Sequence, residues 1–354
     1  KTVEVISYPS TMSTGRLIVV SGASRGVGVG ICRQTLKLDA TADVVVTARN
    51  LDRAKEIRDE LAKALPSVQH VTHSADQQRV HAYQCDVTDE VSCSSLVDML
   101  VENGLLPPLS HSIIDSKKDD KDAPAPRQQQ IRPLSLVNNA GIALDVPWIP
   151  APWSSSFAYD TLNVNLYGAE RLTRAFLPHL LNSTDGRVIF VSSGAGRTNM
   201  KRMEEGPRNK LLSEDLTWDD IQTMSDTFQK EYETAAGEEV RKTGLEQGDK
   251  PQQQLPFLSP SSGLWLQSYG FSKACLGAYC QILARKYPPL FSVACSPGFI
   301  QTDMTRQYGK FDELKSVEEG GEVEAWLATT DDRGTLQSGV FYQPNQIVVS
   351  WVNE

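Results

Sequence analysis

The amino-acid sequence predicts an α/β chain built on a doubly wound parallel sheet of about seven strands, with helices on both faces. Three observations carry that reading. An apolar, β-branched run at 17–22 (LIVVSG) ends on glycine, and a segment able to open a helix leads to a second run at 43–49 (DVVVTAR). Further apolar runs recur at 80–85, 134–138, 188–192, 291–295 and 339–341. The intervals between them are mostly long enough for a helix, so each strand joins the next by a right-handed crossover.

The 354 residues, 40% of them hydrophobic, can bury one large core and are read as a single domain over 1–354 with insertions. Residues 66–79 form a polar insertion before the third strand. Residues 106–133 combine prolines, mixed charge and a glutamine triplet, a composition that buries little surface. The third and longest insertion, 197–262, holds a helix expected over 214–234 and a polar tail, and its helical part is placed to wall a substrate site.

Charge and cysteine usage narrow the function classes. A net charge of -9, from 35 basic and 44 acidic residues, argues against nucleic acid as a partner. The six cysteines have no C-x-x-C pairing, which suggests neither a metal site nor a disulfide framework. No apolar run approaches the roughly 20 residues that span a bilayer. With an opening segment that lacks a signal-peptide core, this gives the expectation of a cytoplasmic chain with no membrane partner.

The turn after the first strand reads Ser21-Gly22-Ala23-Ser24-Arg25-Gly26-Val27-Gly28, a G-x-x-x-G-x-G motif between strand and helix. Gly22 permits the tight turn, Gly26 lets the backbone approach a pyrophosphate, and Gly28 lets helix and strand pack closely. The helix N-terminus presents N–H groups to phosphate oxygens. Gly30 reads as a helix-packing residue. About twenty residues on, where an NAD site places Asp or Glu, stands Arg49. Arg25 and Arg49 together suit a 2′-phosphate, which favours NADPH/NADP; the bland alternative is two solvated surface arginines. Asp86, followed by Val87, is placed either to accept from an adenine amino group or to cap a helix.

Tyr269-Gly270-Phe271-Ser272-Lys273 opens an apolar-periodic segment that Pro288-Pro289 ends, so a helix places Tyr269 and Lys273 on one face. An ammonium beside a phenol is expected to lower its pKa from about 10 and make a tuned proton donor.

In this order the motifs resemble the short-chain dehydrogenase/reductase family, a Rossmann-type fold. After the glycine turn, Leu136-Val137-Asn138-Asn139-Ala140-Gly141 is similar to the family's N-N-A-G segment, and Asn165 to its active-site asparagine. Arg187-Val188-Ile189-Phe190-Val191-Ser192-Ser193 resembles the strand that ends in the catalytic serine, with Ser193 the matching position and Ser192 the fallback. Ser296-Pro297-Gly298-Phe299-Ile300-Gln301-Thr302-Asp303-Met304 resembles the P-G segment that closes over a nicotinamide. The long helical insertion between Ser193 and Tyr269, with Lys210-Leu211-Leu212-Ser213-Glu214-Asp215-Leu216-Thr217, is similar to that of the monomeric NADPH-dependent carbonyl reductases.

The resemblance implies reduction of ketones, aldehydes or quinones, with Tyr269 protonating the oxygen, Ser193 bonding it, Lys273 holding the ribose and tuning Tyr269, and Asn165 holding a water. It also implies a monomer, whose cofactor contacts are Gly22, Ser24, Arg25, Gly26, Val27, Gly28, Arg49, Asp86, Val87, Asn139, Ala140, Gly141, Tyr269, Lys273, Pro297, Gly298, Ile300 and Thr302. Leu144, Trp148, Phe299 and Met304 are read as an apolar substrate wall or, equally, as core. The rival readings are a pteridine reductase of the sepiapterin type and an NADPH-sensing regulator that keeps the fold without turnover.

Overall fold

The computed structural model describes residues 15–65, 79–109, 132–146, 154–243, 257–258 and 266–349, with the side chains of 237–243 left aside. The insertions at 66–79 and 106–133, the tail of the third insertion and Trp148 fall wholly or largely outside those residues.

The chain runs β1 (Leu17–Val20), α1 (Val27–Leu38), β2 (Asp43–Ala48), α2 (Leu51–Lys63), β3 (Val80–Gln84), α3 (Glu90–Glu102), β4 (Leu134–Asn138) and α4 (Phe157–Leu162). A π-helical turn (Asn163–Tyr167) leads into α5 (Gly168–Asn182) and β5 (Gly186–Val191). Then follow α6 (Gly194–Arg202), α7 (Glu205–Leu211), α8 (Trp218–Thr243), α9 (Gln267–Lys286), β6 (Phe291–Cys295), α10 (Val317–Gly320), α11 (Glu322–Thr329), β7 (Phe341–Gln343) and β8 (Ile347–Val349).

The strands form one sheet in the order β3-β2-β1-β4-β5-β6-β7-β8. The first seven are parallel, as the alternating pattern predicts, and β8 adds an antiparallel eighth beyond the expected seven. The seventh strand starts at Phe341, two residues later than expected, because Gly339 turns the chain through a left-handed conformation (φ 78°). Side chains alternate across the sheet, so Leu17 and Val19 enter one apolar layer and Ile18 and Val20 the other. Strand order reverses between β1 and β4, which opens a crevice at the carboxyl edge of the sheet.

The expected helix at 214–234 is longer and begins later, at Trp218. Its start is set by Thr217 and Asp220: Asp220 accepts from the Thr217 N–H (2.9 Å), and the Thr217 hydroxyl accepts from the Asp220 N–H (3.2 Å). Helix α8 packs on α9 through Phe228, which stacks on Phe271 with centroids 4.1 Å apart. Two further helices, α6 and α7, occupy the segment before it.

Gly30 is a packing residue. A Cβ built there would lie 2.0 Å from the Val317 carbonyl oxygen, and one on Gly321 would lie 2.3 Å from the Gly30 carbonyl carbon, so α1 crosses the α10–α11 junction backbone to backbone. Gly206 in α7 has nothing within 4 Å of such a Cβ. Gly30→Ala is therefore expected to cost about 2–3 kcal/mol and lower Tm by several degrees. Gly206→Ala, open on its outer side but followed by Pro207, which crowds a helical Cβ, should stay within about 1 kcal/mol of wild type, and thermal unfolding of the two variants side by side checks the contrast.

Candidate active site

Along the carboxyl edge of the sheet runs a cleft of about 1020 Å³, lined from the glycine turn at one end to Ser193, Tyr269 and Lys273 at the other. At the first end Gly22 (φ 63°) and Gly26 (φ 56°) hold backbone shapes that L side chains resist. A Cβ on Gly28 would fall 2.6 Å from the Asn139 amide nitrogen and 2.7 Å from the Gly22 carbonyl, which closes that position to any other residue. No side chain caps the N-terminus of α1, and Val27 and Gly28 of its first turn line the cleft. A cradle of this shape, with a helix N-terminus aimed into it, fits the pyrophosphate of a dinucleotide.

Asn139 and Ser21 clamp the turn to β4. The Asn139 carboxamide donates to the carbonyls of Ser21 (2.9 Å) and Gly22 (3.2 Å), and the Ser21 hydroxyl accepts from the N–H groups of Asn139 and Ala140. Ser21 was not among the expected site residues, since a serine at a strand end carries no signature of its own. Asn138 points the other way and donates to Thr173 (2.9 Å).

Ser24, Arg25, Arg49, Asp86 and Val87 line the same end. Arg25 reaches across the cleft to Asp303 (3.2 Å), and both are exposed, so the pair is worth about 0–1 kcal/mol and can yield to a phosphate. Arg53, which the sequence did not single out, donates to the Ser24 carbonyl (3.2 Å) from α2. Asp86 is not the helix cap that was its alternative reading. Asp89 caps α3, while Asp86 accepts from the N–H and hydroxyl of Thr88 (2.9 and 2.7 Å).

At the other end two helices bring the polar groups together. A Cβ on Gly196 of α6 would lie 2.8 Å from the backbone at Lys273 and Ala274, and one on Gly270 of α9 would lie 2.8 Å from Asn199. The helices thus touch along their backbones, which sets Ser193, the N-cap of α6, within hydrogen-bonding reach of the Tyr269 phenol. Ser192, the fallback for the serine, is committed elsewhere: its hydroxyl donates to the Lys273 carbonyl (3.0 Å). The buried Lys273 ammonium donates to the Val191 carbonyl (2.7 Å) and stands 5.6 Å from the centre of the Tyr269 ring.

The electrostatics differ from the expectation for the tyrosine. Burial raises the Tyr269 pKa above 10, and the hydrogen bond to Ser193 offsets part of that rise. Burial also pushes Lys273 down from 10.5 to about 8, partly countered by Cys295. Burial disfavours the charged form of each group, which lifts the phenol and lowers the amine.

Asn165 does not line the cleft. It sits in the π-helical turn, accepts from the Ile142 N–H (2.8 Å), and donates to the Ile142 carbonyl (2.9 Å) and Ser272 hydroxyl (3.0 Å). It stands behind Gly141, where a Cβ would meet both its oxygen (3.4 Å) and the Lys273 nitrogen (3.5 Å). Pro297, Gly298, Ile300 and Thr302 form the far bank, and Leu144, Phe299 and Met304 line the cleft with Val146 and Leu266, which the sequence did not indicate. Phe299 meets Tyr308 edge to face, centroids 4.9 Å apart. Among the described residues no cluster of three His, Cys, Asp or Glu could hold a metal ion, and no helix is long and apolar enough to cross a membrane.

A dinucleotide cradle joined to a Ser–Tyr–Lys cluster defines an oxidoreductase of the nicotinamide-dependent class. The short chain dehydrogenase family model matches residues 16–105 and 124–205, and the chain belongs to the short-chain dehydrogenase/reductase family. It is 28% identical over 343 residues to (-)-isopiperitenone reductase of Mentha piperita, covering 92% of this chain and 96% of the relative. It is 27% identical over 345 residues to carbonyl reductase (NADPH) 3 of Mus musculus, covering 96% and 99%. Salutaridine reductase from Papaver somniferum shares the fold with a TM-score of 0.63 at 24% identity, over 93% of this chain and 99% of that one.

The Lys273 titration can be measured directly. By ¹³C NMR of labelled lysine, one resonance, absent in Lys273→Met, is expected to titrate near 8 rather than 10.5. Between those values the unfolded chain holds a proton that the folded chain has released. This lysine therefore makes the fold more stable as pH rises from about 8 to about 10.5, and the contribution is lost below about 8.

Proposed function

We propose that the chain is an NADPH-dependent reductase of carbonyl compounds, that is, ketones, aldehydes and quinones, with Tyr269 as the proton donor. One observation carries the reading: a single cleft has a glycine cradle flanked by Arg25 and Arg49 at one end and Ser193, Tyr269 and Lys273 at the other. Gly22, Gly26 and Gly28 with the α1 N-terminus would hold the pyrophosphate. Arg49 and Arg25, the latter exchanging Asp303 for phosphate, would hold the 2′-phosphate. When bound, the dihydronicotinamide supplies the hydride.

The chain's own groups do the rest. Ser193 donates a hydrogen bond to the carbonyl oxygen and orients it. Tyr269 transfers its phenolic proton to that oxygen as negative charge develops there, and its raised pKa keeps the phenol protonated at neutral pH. Lys273 would hold the nicotinamide ribose and return a proton to Tyr269, regaining its own from solvent, a role that suits an amine titrating near 8. Asn165 braces Ile142 and Ser272, and so fixes the floor beneath Lys273. Leu144, Phe299 and Met304 exclude water from the substrate end. Helix α8 covers α9 through the Phe228–Phe271 stack, and the chain acts as a monomer.

Oxidation of NADPH with a panel of quinones and dicarbonyls tests the activity, and binding without turnover would instead make the chain a sensor. Tyr269→Phe is expected to lower kcat by at least about 10² with little change in NADPH affinity, and near-normal turnover would overturn the acid. Lys273→Ala should lower both together. For the cofactor, Arg49→Asp is expected to reverse or abolish the preference for NADPH over NADH, read from the two dissociation constants. Equal affinity of the wild-type chain for both cofactors would remove the role given to the arginines.

A further inference from the structure

Asp145 belongs to no motif of the sequence, yet its side chain is completely buried. Among the described residues it makes no ion pair, and burial pushes its carboxyl up to about 6. Its oxygens accept instead from the backbone N–H groups of Ser268 and Tyr269, the latter at 3.3 Å, and its own carbonyl accepts from the N–H of Leu266.

Those N–H groups belong to the start of α9, which has no cap of its own. The residue at its N-cap is Leu266, whose side chain cannot accept a hydrogen bond and whose φ of 56° lies in the left-handed region that a leucine resists. Asp145 supplies the missing acceptor from a distant segment of the chain. Tyr269 stands in the first turn of α9, where an uncapped helix frays, whereas Lys273, one turn on, is anchored to Val191. The segment that carries Asp145 also carries Gly141 beneath Lys273 and Leu144 on the cleft wall. One carboxylate thus ties the floor of the cleft to the turn that aims the phenol.

We infer that Asp145 is a positioning residue for the reduction, capping the first turn of α9 so that the Tyr269 hydroxyl faces Ser193 and the substrate. This rests on Tyr269 being the proton donor. Its test compares Asp145→Asn and Asp145→Ala with wild type and Tyr269→Phe, measuring kcat and KM at saturating NADPH, NADPH affinity by fluorescence, and Tm.

The expected result is a kcat lowered about 10- to 100-fold in Asp145→Ala with NADPH affinity within about twofold of wild type. Asp145→Asn should lie between, because its amide oxygen can still accept one of the two N–H groups. If Asp145→Ala does not fold, the isosteric Asn variant decides by the same split. Turnover within twofold of wild type overturns the inference, as does a loss of kcat matched by equal losses of NADPH affinity and Tm, which would mark a merely structural role. Should Tyr269→Phe keep its turnover, the premise fails and the inference falls with it. If Tyr269→Phe is inactive while both Asp145 variants work normally, the inference alone falls.

Discussion

The site depends on the backbone contact between α6 and α9. Only glycine at 196 and 270 lets the two helices approach this closely, and the approach sets the N-cap serine of one beside the first-turn tyrosine of the other. The helices flank the segment that holds α7 and α8, so the contact also fixes where that segment begins. Ser192 stitches the end of β5 to the Lys273 carbonyl, and Lys273 reaches back to Val191, so sheet and helix are locked at the same point.

A second constraint, the clamp of Asn139 and Ser21 on the glycine turn, registers the cofactor cradle against β4. The two constraints meet at the 139–146 segment, which spans from the cradle through Gly141 to the buried Asp145. The cleft has a buried, hydrogen-bonded floor and a more exposed far bank, where Phe299 is 47% exposed and Arg25 pairs with Asp303 at the surface. Such a division would suit the proposed reduction, in which a large cofactor enters and leaves while the proposed proton donor is held in place.

The charge arrangement is uneven for a physical reason. Near the cradle Arg25 and Arg49 are exposed to solvent at the mouth of the cleft. Near the Ser193–Tyr269–Lys273 cluster the ionisable groups are buried, so Tyr269, Lys273 and Asp145 are all displaced toward their neutral forms. Simple pairing of an ammonium with a phenol, the expectation from a tyrosine and a lysine four residues apart, leaves out the desolvation that a large apolar core imposes on both.

The sequence by itself determined the local features. Alternating apolar runs specified seven parallel strands, the spacing of Gly22, Gly26 and Gly28 specified the turn, and the four-residue interval from Tyr269 to Lys273 placed both on one helical face. Each depends on period or on the conformation of a single residue, which neighbours in the chain decide. That the Ser192 hydroxyl is committed to the Lys273 carbonyl while Ser193 caps α6 was decided by the tertiary structure. The displacement of Asn165 behind the cleft, the eighth strand, the Arg25–Asp303 contact and the cap from Asp145 to α9 were settled there too. These join residues far apart in the chain, and hydrogen-bond partners and desolvation at such distances leave no period to read; they exist only once the sheet has brought its carboxyl edge together.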